Sequence, residues 1–167
     1  DALARLLGVS DFLWHDCLRL QHANLFPVVA DIAGLQSPRE RDSLEADLQR
    51  ELAGATTPDE RRELLNEFKD RESLRIDMRH ILGLQDQFGM FSQELTDLAE
   101  TVVGAAYRLC SDELQSAYGE PRAADGSICT ACLCALGKCG GRELGFASDI
   151  ELMFVYAGDG ETSGPQS

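Results

Sequence analysis

Two short strand-like runs near the end of an otherwise helical chain constrain this sequence most. The first is Ile128–Leu136 (ICTACLCAL) and the second Asp149–Tyr156 (DIELMFVY), with the glycine-rich stretch Gly137–Ser148 (GKCGGRELGFAS) between them. Short, largely apolar runs of this length set between turn-rich and glycine-rich stretches read as strands. Two strands do not make an independently stable sheet, so they read as the opening of a larger one. The predicted class is α+β, a helical bundle followed by the first strands of a sheet domain.

Residues up to about Gly119 carry helical signals. Ser10 is placed to cap a segment with apolar Leu13, Cys17 and Leu20 at helical spacing, which Pro27 interrupts. Ser37-Pro38 predicts a helix with proline in its first turn, running to Ala53. Thr57-Pro58-Asp59-Glu60 has capping-box spacing and predicts a helix to about Leu82, stopped by Gly83. A further helix from Ser92 carries the stripe Leu95, Leu98, Ala99, Val102, Ala106, Leu109 and Cys110. Arg71, Arg75 and Arg79 recur at helical spacing and read as partners of Glu67, Glu72 and Asp77 on a solvated face. His15 and His22 share a helix face and read as structural. The expected boundaries are 1–122 for the helical region and 123–167 for the start of the sheet domain, with the connection EPRAADGS between them.

The chain carries 15 Lys+Arg against 29 Asp+Glu, a formal charge of −14 at pH 7. Nucleic acid and anionic membrane surfaces are therefore poor partners, because both require a cationic footprint. No apolar stretch approaches the roughly 20 residues needed to span a bilayer. The N-terminus lacks a cationic start followed by an apolar run, so the expected location is the cytoplasm, where free thiols are the rule. Cys129, Cys132, Cys134 and Cys139 are close in sequence. Cys129-x-x-Cys132 has half the spacing of a zinc site, but Cys132-x-Cys134 does not continue as a knuckle. Buried thiols are the favoured reading, and a cysteine-based metal-binding module is an alternative.

The chemistry concentrates in Gly140-Gly141 followed by Asp149-Ile150-Glu151. Adjacent glycines let backbone N–H groups approach a phosphate chain with no Cβ in the way. A helical turn leading from Gly141 is expected to add its dipole to the same anion. On a strand, residues two apart share a face, so Asp149 and Glu151 are expected to project together while Ile150 and Leu152 enter the core. Two carboxylates beside a phosphate cradle form a magnesium site for nucleotide chemistry.

The segment LGKCGGRELGFASDIELMFVY resembles the signature of the bacterial glutamine-synthetase adenylyltransferases (glutamate–ammonia-ligase adenylyltransferases), of the polymerase-β-like nucleotidyltransferase superfamily. The upstream stretches SDFLWHDCLRLQHANLFPVV and LRIDMRHILGLQDQFGMFSQELTDLAETVVGAAY resemble the helical region preceding that catalytic core. The resemblance implies that Gly140, Gly141 and Ser148 bind the nucleotide and that Asp149 and Glu151 are catalytic and bind Mg²⁺, with ATP as substrate. It also implies AMP transfer to a tyrosine of glutamine synthetase, or its removal by phosphorolysis, and a PII-type signalling protein as a further partner. Glu151 stands where the family usually has Asp, and Gly145 and Ala147 replace a usual Asn and Ser. The superfamily's third carboxylate lies on a later strand, so the chain is expected to be a fragment, inactive alone. A helical interaction domain with an inactive nucleotidyltransferase remnant is the other alternative.

Overall fold

A computed structural model of the chain describes residues 34–85, 87 and 89–165. The expectations on Ser10, His15, Cys17, His22 and Pro27 lie outside the described residues. Two compact units divide the chain, residues 1–102 and 103–167.

In the first unit, helix α1 (Arg41–Leu52) and helix α2 (Pro58–Ile81) are followed by the opening of helix α3 (Met90–Tyr118). The start of α2 follows from local chemistry. Thr57 Oγ1 accepts from the Glu60 N–H at 3.2 Å, and Glu60 Oε2 accepts from the Thr57 N–H at 3.1 Å. This closes the predicted capping box, with Pro58 where its missing donor costs nothing. The helix ends at Ile81, and Gly83 takes the positive φ of 69° that a helix stop favours.

Helix α1 corrects the sequence reading, since it starts at Arg41 rather than Pro38. Glu40 is extended at ψ 150°, and its carbonyl accepts the first helical bond, from Leu44. Arg39, left out of the helix, reaches Asp47 on α1 and Glu72 on α2. Leu44 and Leu48 of α1 are buried, as are Leu65, Phe68, Leu74, Ile76 and Met78 of α2 and Leu98 of α3. Burial of such side chains stabilises a fold by about 1.5–3 kcal/mol each.

The arginines of α2 are a second correction. Arg75 and Arg79 are buried rather than solvated, Arg79 being only 1% exposed. Glu72 accepts from Arg39 at 2.7 Å and from Arg75 at 2.8 Å. Glu94 of α3 accepts from Arg79 Nε at 3.0 Å, and Arg79 Nη1 donates to the Leu35 carbonyl. Arg71 pairs with Glu51 of α1. Helical spacing pairs Arg75 with Glu72 on the same helix, as expected, whereas Arg71 and Arg79 find Glu51 and Glu94 on other helices.

Helix α3 begins two residues before Ser92, and its buried face includes residues the apolar stripe leaves out. Leu98 and Ala99 are buried, but so are Glu94, Thr96 and Thr101, whereas Cys110 is exposed. The threonine hydroxyls donate to carbonyls one turn back, Ser92 at 2.7 Å and Asp97 at 2.8 Å. The buried threonine hydroxyls and Glu94 of α3 are thus satisfied, which permits their burial.

The second unit carries strands β1 (Ala131–Leu136) and β2 (Glu151–Tyr156), joined by the single turn α4 (Gly137–Gly140) and a loop. The strands pair antiparallel, from Ala131 opposite Tyr156 to Leu136 opposite Glu151. The described architecture is α+β, helices followed by a two-stranded sheet. Ile150 and Leu152 are exposed at 43% and 37%, against the expectation that they enter a core. Phe154 and Tyr156 are exposed as well. A two-stranded sheet supplies no layer to cover them. The cysteines are corrected for the same reason, since Cys132 is exposed, Cys129 and Cys134 are half-buried, and only Cys139 is buried.

The residues after β2 are held against the start of the unit. Arg122 and Glu161 exchange both backbone hydrogen bonds, at 2.9 and 2.8 Å, and the Gly164 N–H donates to the Tyr118 carbonyl at 2.6 Å. A Cβ on Gly160 would lie 2.6 Å from the Arg122 carbonyl oxygen, so glycine is required at this crossing. No described helix is long and apolar enough to cross a membrane.

Candidate functional site

The chain leaves β1 through Gly137, whose φ of +54° suits glycine. A Cβ there would lie 2.6 Å from Glu151 Oε2, so the carboxylate that opens β2 rests against this turn. Gly140 packs beneath β1. A Cβ on it would collide with the Ala135 carbonyl oxygen and lie 3.0 Å from the carbonyl carbon. Gly141 is less confined, at φ −81°, with the nearest obstacle to a Cβ 3.5 Å away. Sequence reading singled out Gly140 and Gly141 but missed Gly137. Its signal was a glycine directly after an apolar run.

The helical turn ends on the first glycine of the pair instead of leading from the second. It spans Gly137–Gly140 and closes as the Gly141 N–H donates to Gly137 O at 2.9 Å. The N–H groups of Arg142 and Glu143 donate to Cys139 O at 3.1 Å and Lys138 O at 2.7 Å. The positive φ of Gly137 lets the chain enter the turn as soon as the strand ends, which the pair alone does not reveal. Three donors beyond Gly140 are therefore satisfied internally. The first-turn N–H groups are the ones an α-helical turn leaves without an intrahelical acceptor.

Buried Cys139 and Leu144 anchor the loop, each 4% exposed. Ser148 closes its far end, where its Oγ accepts from the Gly145 N–H at 2.9 Å and its own N–H donates to Gly145 O at 3.1 Å. Arg142 and Ala147 hold positive φ values of 58° and 54°, conformations that cost residues with a Cβ roughly 1–3 kcal/mol. Strain of this kind persists only where the surroundings fix the backbone.

Glu151 is the first residue of β2, while Asp149 lies two residues before the strand. Strand alternation therefore fixes the side on which Glu151 projects and does not extend to Asp149. Both are exposed, and neither forms an ion pair among the described residues. Hard, unpaired carboxylate oxygens suit Mg²⁺, which completes its shell with water and phosphate oxygens. Among the described residues no three His, Cys, Asp or Glu side chains converge, so these two carboxylates are a partial donor set.

A separate cavity of about 520 Å³ lies in the same unit, walled by Tyr107, Leu114, Tyr118, Ile128 and Thr162 among others. No Lys, Arg or His lines it, which makes it a poor host for a triphosphate.

Comparison with known proteins bears on this loop. The family model described as glutamate-ammonia ligase adenylyltransferase matches residues 1–167. The chain belongs to the glutamate-ammonia ligase adenylyltransferase family. Curated relatives in that family are named bifunctional glutamine synthetase adenylyltransferase/adenylyl-removing enzyme. The protein of Shewanella loihica is 32% identical over 162 residues, covering 97% of this chain and 16% of the relative. That of Thioalkalivibrio sulfidiphilus is 32% identical over 167 residues, covering 98% and 17%. That of Burkholderia mallei is 36% identical over 131 residues, covering 77% and 14%. The chain thus spans about one sixth of the length of these adenylyltransferase relatives.

Proposed function

We propose that this chain forms the helical region and the opening of the catalytic domain of an enzyme that transfers AMP from ATP to a tyrosine hydroxyl of glutamine synthetase. The observation that carries the reading is family membership over the whole chain, together with a glycine turn that rests against Glu151. Residues 1–122 would precede the catalytic core and 123–167 would begin it. Both activities in the relatives' names act on the same bond to AMP, and transfer is the direction proposed for this chain.

In this reading Asp149 and Glu151 hold Mg²⁺ and, with it, the phosphates of ATP. Bound there, the ion would neutralise phosphate charge and so favour in-line displacement at the α-phosphorus. Gly140 lets the turn press against β1, and Gly137 lets the Glu151 carboxylate close on the turn. Ser148 ties the loop just before Asp149 and so limits the freedom of that carboxylate. The longer Glu151, where the family usually has Asp, is accommodated because Gly137 leaves space beside its carboxylate.

Calorimetric titration of ATP into the full-length protein carrying this segment, with and without Mg²⁺, tests the reading. Mg²⁺-dependent binding, weakened at least about tenfold by Glu151→Gln, is expected. Absence of Mg²⁺-dependent binding would favour a helical interaction domain carrying an inactive remnant.

A further inference from the structure

One face of the sheet gathers three sulfur atoms. In the antiparallel register Cys134 stands opposite Met153 and Cys132 opposite Val155, so Cys132, Cys134 and Met153 share a face. The two thiols are 3.9 Å apart, Sγ to Sγ. An ion about 2.3 Å from each sulfur, the usual metal–thiolate distance, would see that 3.9 Å separation under an angle of about 116°. This lies between tetrahedral and trigonal values, so both thiolates can bind one ion with their sulfurs where they already stand. Directly opposed strand residues have Cβ atoms about 4.5–5.5 Å apart, which brings the flexible thioether of Met153 within reach as a third donor. Cys132 and Met153 are exposed, giving an ion direct access.

The donor count selects the ion. Zinc in a structural site takes four ligands, and no third His, Cys, Asp or Glu joins this pair among the described residues. Monovalent copper is soft, accepts two or three ligands, and prefers thiolate and thioether sulfur. We propose that Cys132, Cys134 and Met153 form a Cu(I)-binding site on the sheet face. Binding exchanges two S–H bonds for two Cu–S bonds and releases two protons to solvent, with no change of oxidation state. The remaining described thiols stand apart. Cys139 is buried beneath the loop, Cys129 Sγ lies 3.8 Å from the Asp159 carbonyl, and Cys110 is on α3. The proposal does not rest on the nucleotidyltransferase reading.

The test uses Cu(I), added anaerobically as its acetonitrile complex to the full-length protein carrying this segment, in competition with bicinchoninate. One equivalent should bind, with sulfur-to-copper charge-transfer absorption in the near ultraviolet. Binding should be lost in both Cys132→Ser and Cys134→Ser, and weakened about tenfold or more in Met153→Leu. Bound Cu(I) should also protect Cys132 and Cys134 of the unaltered chain from iodoacetamide, read peptide by peptide in a mass spectrometer. That readout needs no variant to fold. Protection confined to other cysteines, or binding that survives both serine substitutions, would overturn the site. Unchanged affinity in Met153→Leu would overturn the three-sulfur assignment, and a preference for Zn²⁺ would overturn the choice of ion.

Discussion

Replacing Arg79 by Met removes the most buried charge that joins α2 to α3 while keeping most of its aliphatic length. Arg79 donates from Nε to both carboxylate oxygens of Glu94, at 3.0 and 3.3 Å, and from Nη1 to the Leu35 carbonyl. In Arg79→Met, Glu94 stays buried at 4% exposure with Gln85 at 2.9 Å and Arg75 at 3.8 Å as its remaining partners. Removing one member of a buried ion pair costs about 3–5 kcal/mol, chiefly because the other charge is stranded. The retained partners place the expected loss near the lower end, about 3 kcal/mol. With a urea dependence of about 1–3 kcal/mol per molar, the midpoint of helix loss should fall by about 1–3 M. Circular dichroism at 222 nm reads that midpoint. The double variant Arg79→Met, Glu94→Leu should recover most of the loss, because a hydrophobic replacement of the whole pair strands no charge. A loss below about 0.5 kcal/mol would be that of a solvated pair and would refute the buried assignment.

Gly140→Ala should destabilise the second unit by about 1–3 kcal/mol because its Cβ meets the Ala135 backbone, whereas Gly141→Ala should cost less than about 1 kcal/mol; hydrogen exchange of β1 separates the two, and equal effects would contradict the packing. Hydrogen bonds from the Thr56 backbone, the Thr56 hydroxyl and the Thr57 backbone hold the Glu60 carboxyl below its usual value. A carboxyl so lowered contributes stability above its unfolded value of about 4.3 and loses it as pH falls through the folded one. Urea midpoints from pH 6 to pH 3 should therefore fall less steeply in Glu60→Gln than in the unaltered chain. The hydrogen bond with Cys134, followed by its charge, pushes the Cys132 thiol up, so Cys134→Ala should speed iodoacetamide labelling of Cys132 at pH 8, measured by peptide mass.

Features governed by residues close in sequence were legible before the structure. The Thr57–Glu60 box and the Gly83 stop depend on bonds that span a turn, and both strand-like runs became strands. The buried face of α3 was not legible, because Glu94 is tolerated there only through Arg79, fifteen residues away on another helix. The burial of Arg79 was hidden for the same reason. Helical spacing finds Glu72 for Arg75 on the same helix, while Glu94 is reached from Arg79 across helices. At the candidate site the glycine pair, Ser148 and the two carboxylates were evident as a pattern. The position of the turn was not, since it depends on a left-handed backbone at Gly137. Strand alternation also misled at Asp149, which lies ahead of the strand, and at Ile150 and Leu152, which a two-stranded sheet leaves uncovered.

We propose Asp149 and Glu151 as the carboxylates that would hold the metal and nucleotide for AMP transfer. The most direct measurement is the rate at which the full-length protein carrying this segment moves labelled AMP from ATP to glutamine synthetase, compared with its Asp149→Asn variant. Loss of an outer-shell partner alone lowers metal-site activity about 10–100-fold, so loss of a direct ligand should lower the rate at least about 100-fold with the fold retained. A rate within about threefold of the unaltered protein, about 0.7 kcal/mol in barrier, would contradict the assignment of Asp149 and the site built on it.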